Sequence, residues 1–380
     1  MSQTKAQLLE GTTAQNVTVD NINTTSVNSG ALSNRNMIIN GNLFVNQRNA
    51  DSAVTITNNA NDYPCDRWSS NSDNMSQFSL QRKTDGVPGT TGNKNYLRAT
   101  MLSALASPVS QLIEQPIEGF ISSRCQLGTN NPKTLTLSFW VRSSVTGTFG
   151  GSLTSTDNNL SQTFSYTYSS ADTWQHVTYT FSTTGGNTGS FATDDSRGLC
   201  LNFSLGNTAS RQNATGSWVS GFKGGPTGET NICATNGATW DVTQVQLEVG
   251  STATDFEFRS AGQELSLCQR YYQRWKGHSD HNMIGAGRGN GSSGVFVSVN
   301  LIQCLRATPS VTNSGIVCFK PGASSTSTST TPSLTNASAF DASHSPQFPL
   351  NVTGLSGMAN NEGGYSVCLS GSDLQLSAEF

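Results

Sequence analysis

A chain of 380 residues with 34% hydrophobic side chains is long enough for two or three domains, yet too poor in apolar residues for one large helical core. Only 12% of residues are charged, the formal net charge is -3 and no run of Lys or Arg occurs, which argues against nucleic acid or an anionic membrane as partner. Ser, Thr, Asn and 37 glycines fill the polar positions, a composition that favours strands and turns over helix interiors. No apolar run approaches the roughly 20 residues that span a bilayer. The opening MSQTKAQLLEGTTAQ lacks a basic segment followed by an apolar core, so a soluble protein without an export signal is expected. The eight cysteines are scattered, with no Cys-x-x-Cys pair, and are read as reduced, buried small apolar residues.

Residues 1–35 hold one weakly helical piece, KAQLLE, and then a polar, β-branched stretch without a core of its own. Two readings stay open for it: a disordered leader, or an anchoring peptide that orders on a partner. From Met37 short strands alternate with Gly/Asn/Ser/Thr turns, and Leu135, Leu137, Phe139 and Val141 show the period of a strand with one buried face. Regular strands without intervening helices predict an antiparallel sandwich or jelly roll over residues 36–259.

At Phe258 the alternation gives way to RSAGQELSLCQRYYQRW, with Ser260 as N-cap and Leu265, Cys268, Tyr272 and Trp275 at steps of three and four. This predicts a linker helix over 260–276. Its apolar face either packs on the chain's own sandwich or forms a seam between identical chains. Residues 277–380 return to alternating strands and predict a smaller C-terminal β domain, with GAGRGNG as a flexible connection and a Ser/Thr-rich loop at 322–338.

Few motifs carry chemistry. GAGRGNG lacks the following helix and Lys-Ser/Thr pair of a phosphate loop. His278 and His281 have no third metal ligand within reach in sequence, so no metal is expected. Asp157, Asp194 and Asp195 lie in turns where acidic side chains cap backbone, and no serine sits in a nucleophile elbow. The chain is therefore read as a non-enzyme without cofactors. Aromatic platforms for a sugar ring are the remaining candidates. Trp140 and Phe139 are neighbours on one strand, so one faces in and the other out; Trp174 begins a strand; Trp218 and Phe222 lie in a glycine-flanked stretch, GSWVSGFKGG, that suggests an exposed loop. Trp218, Phe222 and Trp174 are the expected ligand contacts.

The order NRNMIINGNLFVNQR (34–48), DRW (66–68), LTLSFWVRSS (135–144), TWQHVTYTFS (173–182) and VQLEVGSTATDFEFRSAGQELSLCQRYYQRW (245–275) resembles bacteriophage tail-fibre and related virion proteins. The main domain of those proteins is a jelly roll similar to carbohydrate-binding modules of the galactose-binding type, and LIQCLRATPSVT and the terminal LQLSAEF resemble their small closing β domain. The resemblance implies that Asn40 and Gly41 make the first turn, that Trp68 packs beneath the sheet, and that Leu247 is buried while Glu248 and Gly250 close the last strand. It also implies a virion protein assembled in the bacterial cytoplasm: a homotrimeric tail fibre joined to tail adaptor or nozzle proteins through residues 1–35, without membrane insertion, and contacting host surface glycan. In that expectation the Leu265/Cys268/Tyr272/Trp275 stripe is the trimer seam, the jelly roll is a spacer, and the loops at 285–294 and 322–338 recognise the host. A capsid decoration or head-fibre protein, or a secreted glycan-binding module, are the alternatives.

Overall fold

The computed structural model describes residues 34–57, 62–73, 77–86, 92–186, 188–276, 282–289, 294–314, 345–353 and 373–380, together with the backbone of short strands at Ser26–Val27, Gly30–Ala31, Ile316–Phe319, Thr326–Ser329, Pro332–Leu334 and Gly363–Cys368. The rest of the anchoring segment, including KAQLLE, lies outside the described residues, as do His278 and His281. The fold is all-β: a jelly-roll sandwich and a smaller C-terminal β domain, with the short helix Ala261–Gln269 between them. Among the described residues no helix is long and apolar enough to cross a membrane.

One sheet of the sandwich runs in the order Val219–Ser220, Leu160–Tyr168, Gly147–Ser155, Arg197–Asn207, Ser110–Glu118, Trp68–Ser72, Asp62–Cys65. The other runs Gln175–Phe181, Leu135–Ser143, Thr239–Val249, Tyr96–Met101, Phe78–Lys83, Val54–Thr55. All ladders in both sheets are antiparallel, and the chain crosses repeatedly from one sheet to the other. The period-2 pattern read from the sequence has a direct cause: Leu135, Leu137, Phe139 and Val141 all point into the space between the sheets and are almost fully buried. There Phe139 meets Phe203 edge-on at 5.1 Å and Tyr166 at 5.4 Å, while Phe203 lies 5.2 Å from Trp240. Each such side chain contributes roughly 1.5–3 kcal/mol through burial.

The turn at 40–43 locks the sandwich. Asn40 adopts φ 58, its side chain donates to the carbonyls of Val45 (2.8 Å) and Asp66 (3.0 Å), and its own carbonyl accepts from Trp68 Nε1 at 3.0 Å. At Gly41 a Cβ would collide with the Val245 carbonyl, so only glycine fits this approach. Leu247 is buried. At the far end of its strand Glu248 accepts from the Thr254 amide (2.9 Å) and hydroxyl (2.8 Å), and Gly250 turns the chain with φ 138.

Three expectations about the second half are corrected. The helix ends at Gln269, and Tyr272–Lys276 is a strand that pairs with Asp373–Ser377, which also pairs with Ser310–Asn313. The 260–276 segment is thus half helix and half sheet. The glycine-rich stretch is strand up to Gly289, within Asn282–Gly289, and the Ser/Thr-rich stretch contains the strands Thr326–Ser329 and Pro332–Leu334. Small and hydroxyl residues suit a ladder there as well as a loop, because pairing uses backbone groups.

Three of the four stripe residues face the protein's own interior. Cys268 and Tyr272 are buried, the first in a cluster with Ile39, Val45 and Tyr271, while Trp275 packs on the core of the C-terminal domain. Of the four residues expected at a trimer seam, Leu265 is exposed, at 37%. Residues 378–380 complete this junction. Glu379 pairs with the buried Arg67 and with Arg48 (2.9 Å), Arg67 stacks on Tyr271 at 3.5 Å, and Tyr271 donates to Glu118 at 2.6 Å. Arg306 holds the carbonyls of Ala378 (2.9 Å) and Glu379 (2.8 Å). Among the described residues six cysteines are free, and five of them are buried.

Candidate ligand groove on the six-stranded sheet

The two outer faces of the sandwich differ. Over Gly147–Ser155 and Leu160–Tyr168 the seven-stranded sheet is covered by its own connection, residues 208–230. Pro226 lies against Gly150, Thr163 donates to the Asn213 carbonyl (3.0 Å), and Ser161 donates to that of Gly221 (2.8 Å). This connection carries Trp218 and Phe222. Trp218 is 6% exposed, sits in the sandwich core cluster and meets Phe191 edge-on at 5.6 Å. The expectation that Trp218 contacts ligand is therefore corrected: the glycines around it let the chain lie close to the sheet rather than hold it in solvent. Phe222 is partly buried beneath Arg211, whose guanidinium lies 5.0 Å from the ring.

On the six-stranded sheet the outward residues Arg98, Trp140 and Arg142 are partly exposed and His176 is exposed, above buried residues that include Tyr96 and Asp241. Across the strands, Arg98 and Arg142 both clamp Asp241: Arg98 Nε and Nη2 reach its two oxygens at 2.8 and 2.9 Å, and Arg142 Nε donates at 2.8 Å. Arg142 lies 4.8 Å from the Trp174 ring and 5.1 Å from Tyr96, and those two rings meet edge-on at 5.4 Å. Tyr96 donates to Asp85 at 2.8 Å; burial first, and this bond second, push its phenol up to about 12. Trp174 thus has an aromatic and cationic setting, on a different sheet from Trp218 and Phe222.

Two residues further along the same strands, Trp140 and His176 are cross-strand partners with ring centroids 5.1 Å apart. Partial desolvation lowers the His176 pKa, which favours the neutral imidazole. The segment after Gly250 folds back over this end of the sheet, held by Glu248 and by Gln246, whose side-chain oxygen accepts from the Glu257 amide at 2.8 Å. The result is a groove of ≈ 590 Å³ between Trp140 and His176 on one side and Phe256 and Phe258 on the other, with Ser138, Gln244, Thr254 and Asp255 completing it. It offers flat aromatic faces that can take C–H groups, with amide, hydroxyl and carboxylate groups that can hydrogen-bond to hydroxyls.

Of the expected contacts, only Trp174 lies on this face. Trp140 was legible in part, as the outward neighbour of Phe139. Phe256 and Phe258 follow the end of the strand pattern, so periodicity does not mark them. Among the described residues no group of His, Cys, Asp and Glu is placed to hold a metal ion.

No family model matches the sequence, and no curated protein matches it. Among solved structures, the chain is similar to a carbohydrate-binding module crystallised with β-1,4-galactotriose (9% identity, 57% of this chain and 99% of that one, TM-score 0.29). It is also similar to a putative sugar-binding protein from Bacteroides thetaiotaomicron (9%, 57% and 100%, TM-score 0.29). A third is the family 11 carbohydrate-binding module from Clostridium thermocellum in complex with a mixed-linked tetrasaccharide (14%, 54% and 100%, TM-score 0.27). At TM-scores this low the likeness says nothing about a ligand for this chain, and the groove stands on its own geometry.

Proposed function

We propose that this chain is a non-catalytic, glycan-binding structural protein of a bacteriophage tail, and that the glycan lies on the outer face of the six-stranded sheet. The observation that carries the binding half is the ≈ 590 Å³ groove walled by Trp140, His176, Phe256 and Phe258. Among the described residues a single carboxylate, Asp255, lines it, whereas glycoside hydrolysis ordinarily uses two flanking the bond. The tail assignment is supported by the order of motifs between residues 34 and 275. In this reading the sandwich does more than space the molecule, residues 1–35 attach to the tail, and weak single-site binding is multiplied by copy number. A homotrimer remains part of the proposal, with its contacts on faces other than the buried Cys268 and Tyr272.

A printed array of neutral and acidic glycans, probed with the intact protein and with Trp140→Ala, tests the binding half. Binding that depends on Trp140 supports it; an array without a hit, or binding indifferent to Trp140→Ala, overturns it. The tail half is tested by deleting residues 1–35. The two β domains should still melt cooperatively, while the protein disappears from purified particles; retention in the particles would overturn the anchor. Light scattering at micromolar concentration reads the oligomeric state, and a monomer would remove the trimer.

A further inference from the structure

A second depression adjoins the groove. It has a volume of ≈ 370 Å³ and is lined by Asn42, Phe44, Gly92, Asn93, Arg259 and Glu264 among others, and Phe258 lines both. Phe258 is 56% exposed and Phe44 47%, so two large aromatic faces are open at this end of the sandwich. Each volume lies within the roughly 300–1,000 Å³ of small-molecule sites. A single sugar ring would leave one of them empty.

The strand beneath is interrupted between them. Thr243 opposes Trp140 and Gln246 opposes Ser138, so Thr239–Val249 carries one extra residue against its neighbour, and Gln244 takes φ 50 at this bulge. Bulges re-aim side chains and are frequent beside binding sites. Here Gln244 is 5% exposed and lines the larger groove, and its amide nitrogen has no hydrogen-bond partner among the described residues. A buried amide left unpaired is costly, and a ligand hydroxyl would complete it. Thr243, next to it, accepts from Asn93 Nδ2 at 3.0 Å, which ties the same bulge to the second depression.

The charges nearby select against anions. Arg98 and Arg142 are engaged by Asp241, and Arg259 is held by Glu264 and by the carbonyls of Asn36 and Ile38 (3.0 Å to the latter). Asp255 adds an exposed carboxylate.

Building on the glycan-binding reading above, we propose that the ligand is a linear, neutral oligosaccharide that occupies both depressions, crossing Phe258, with Gln244 as the hydrogen-bonding residue that sets its specificity. Calorimetric titration of the intact protein with neutral gluco-, galacto- and manno-oligosaccharides of one to six units, and with uronic-acid oligomers of the same lengths, tests it. Affinity for the bound neutral series should rise with length. Phe258→Ala, which removes a wall shared by both depressions, should weaken every bound member and remove that rise, with a loss about tenfold greater for the longest member than for the shortest. Gln244→Asn, which tolerates the positive φ but is one methylene shorter, should lose about tenfold across the series at unchanged melting temperature. Affinity independent of length with a silent Phe258→Ala, preference for the uronic acids, or a silent Gln244→Asn would each overturn this proposal. In those outcomes a loss of binding in Trp140→Ala would still uphold the groove, whereas binding indifferent to Trp140→Ala would sink the glycan reading itself.

Discussion

The two outer faces of the sandwich start from the same pattern, a strand with alternate residues turned away from the core, and end differently. The seven-stranded face carries Gly150, Thr163 and Ser161 where residues 208–230 cross it, and these small side chains let the crossing chain approach and hydrogen-bond to the sheet. The six-stranded face carries Tyr96, Arg98, Trp140, Arg142 and His176 at outward positions, and residues 251–257 cross this sheet beside them, where Thr180 and Gln246 bond to the crossing chain. Side-chain volume at the outward positions therefore goes with where the crossing chain lies close on the sheet and where large side chains stand beside it.

The contrast is sharpest at the two tryptophans. Trp218→Ala removes an indole from the core and should lower unfolding stability by about 3–5 kcal/mol, read by chemical denaturation. A loss below about 1 kcal/mol would return Trp218 to the surface and reopen it as a ligand contact. Next in size is Gly150→Ala. Its Cβ would press on the Phe164 carbonyl and on Pro226, and overpacking of this kind costs about 1–3 kcal/mol. An unchanged midpoint would mean that residues 208–230 do not lie close on the sheet. Trp140→Ala should behave oppositely, with stability within about 1 kcal/mol of the parent and at least a tenfold loss of glycan affinity, about 1.4 kcal/mol. The smallest effect concerns His176. Its pKa is lowered in the folded protein, so the unfolded chain binds the proton more readily, and the stability its neutral form contributes is complete above about pH 6.5 and declines as pH falls through that value. An NMR titration of the ring should place its midpoint below 6.5; a midpoint above it would mean that the ring is not desolvated against Trp140.

Much of the fold was legible because a two-residue period is a strong local signal, and Leu135, Leu137, Phe139 and Val141 followed it into the core. The junction was less so. Leu265, Cys268, Tyr272 and Trp275 fit helical steps, yet Tyr272 and Trp275 belong to a strand whose partner, Asp373–Ser377, lies about a hundred residues away, and no local pattern encodes that pairing. Trp218 was misplaced because glycine marks both exposed loops and close backbone approach. The bulge at Gln244 did leave a trace. The apolar inward positions Trp240 and Val242 are followed by Val245 and Leu247, a step of three in a run of twos, and that slip of phase points to the residue beside it.

The most direct test is a crystal structure of the intact protein soaked with the neutral oligosaccharide that binds it best. The account predicts sugar density stacked on Trp140 beside His176, in contact with Gln244 and passing over Phe258 towards Phe44. Density beside Phe222, or on the C-terminal domain at residues 285–294 or 322–338, would contradict it and make the six-stranded face a bystander.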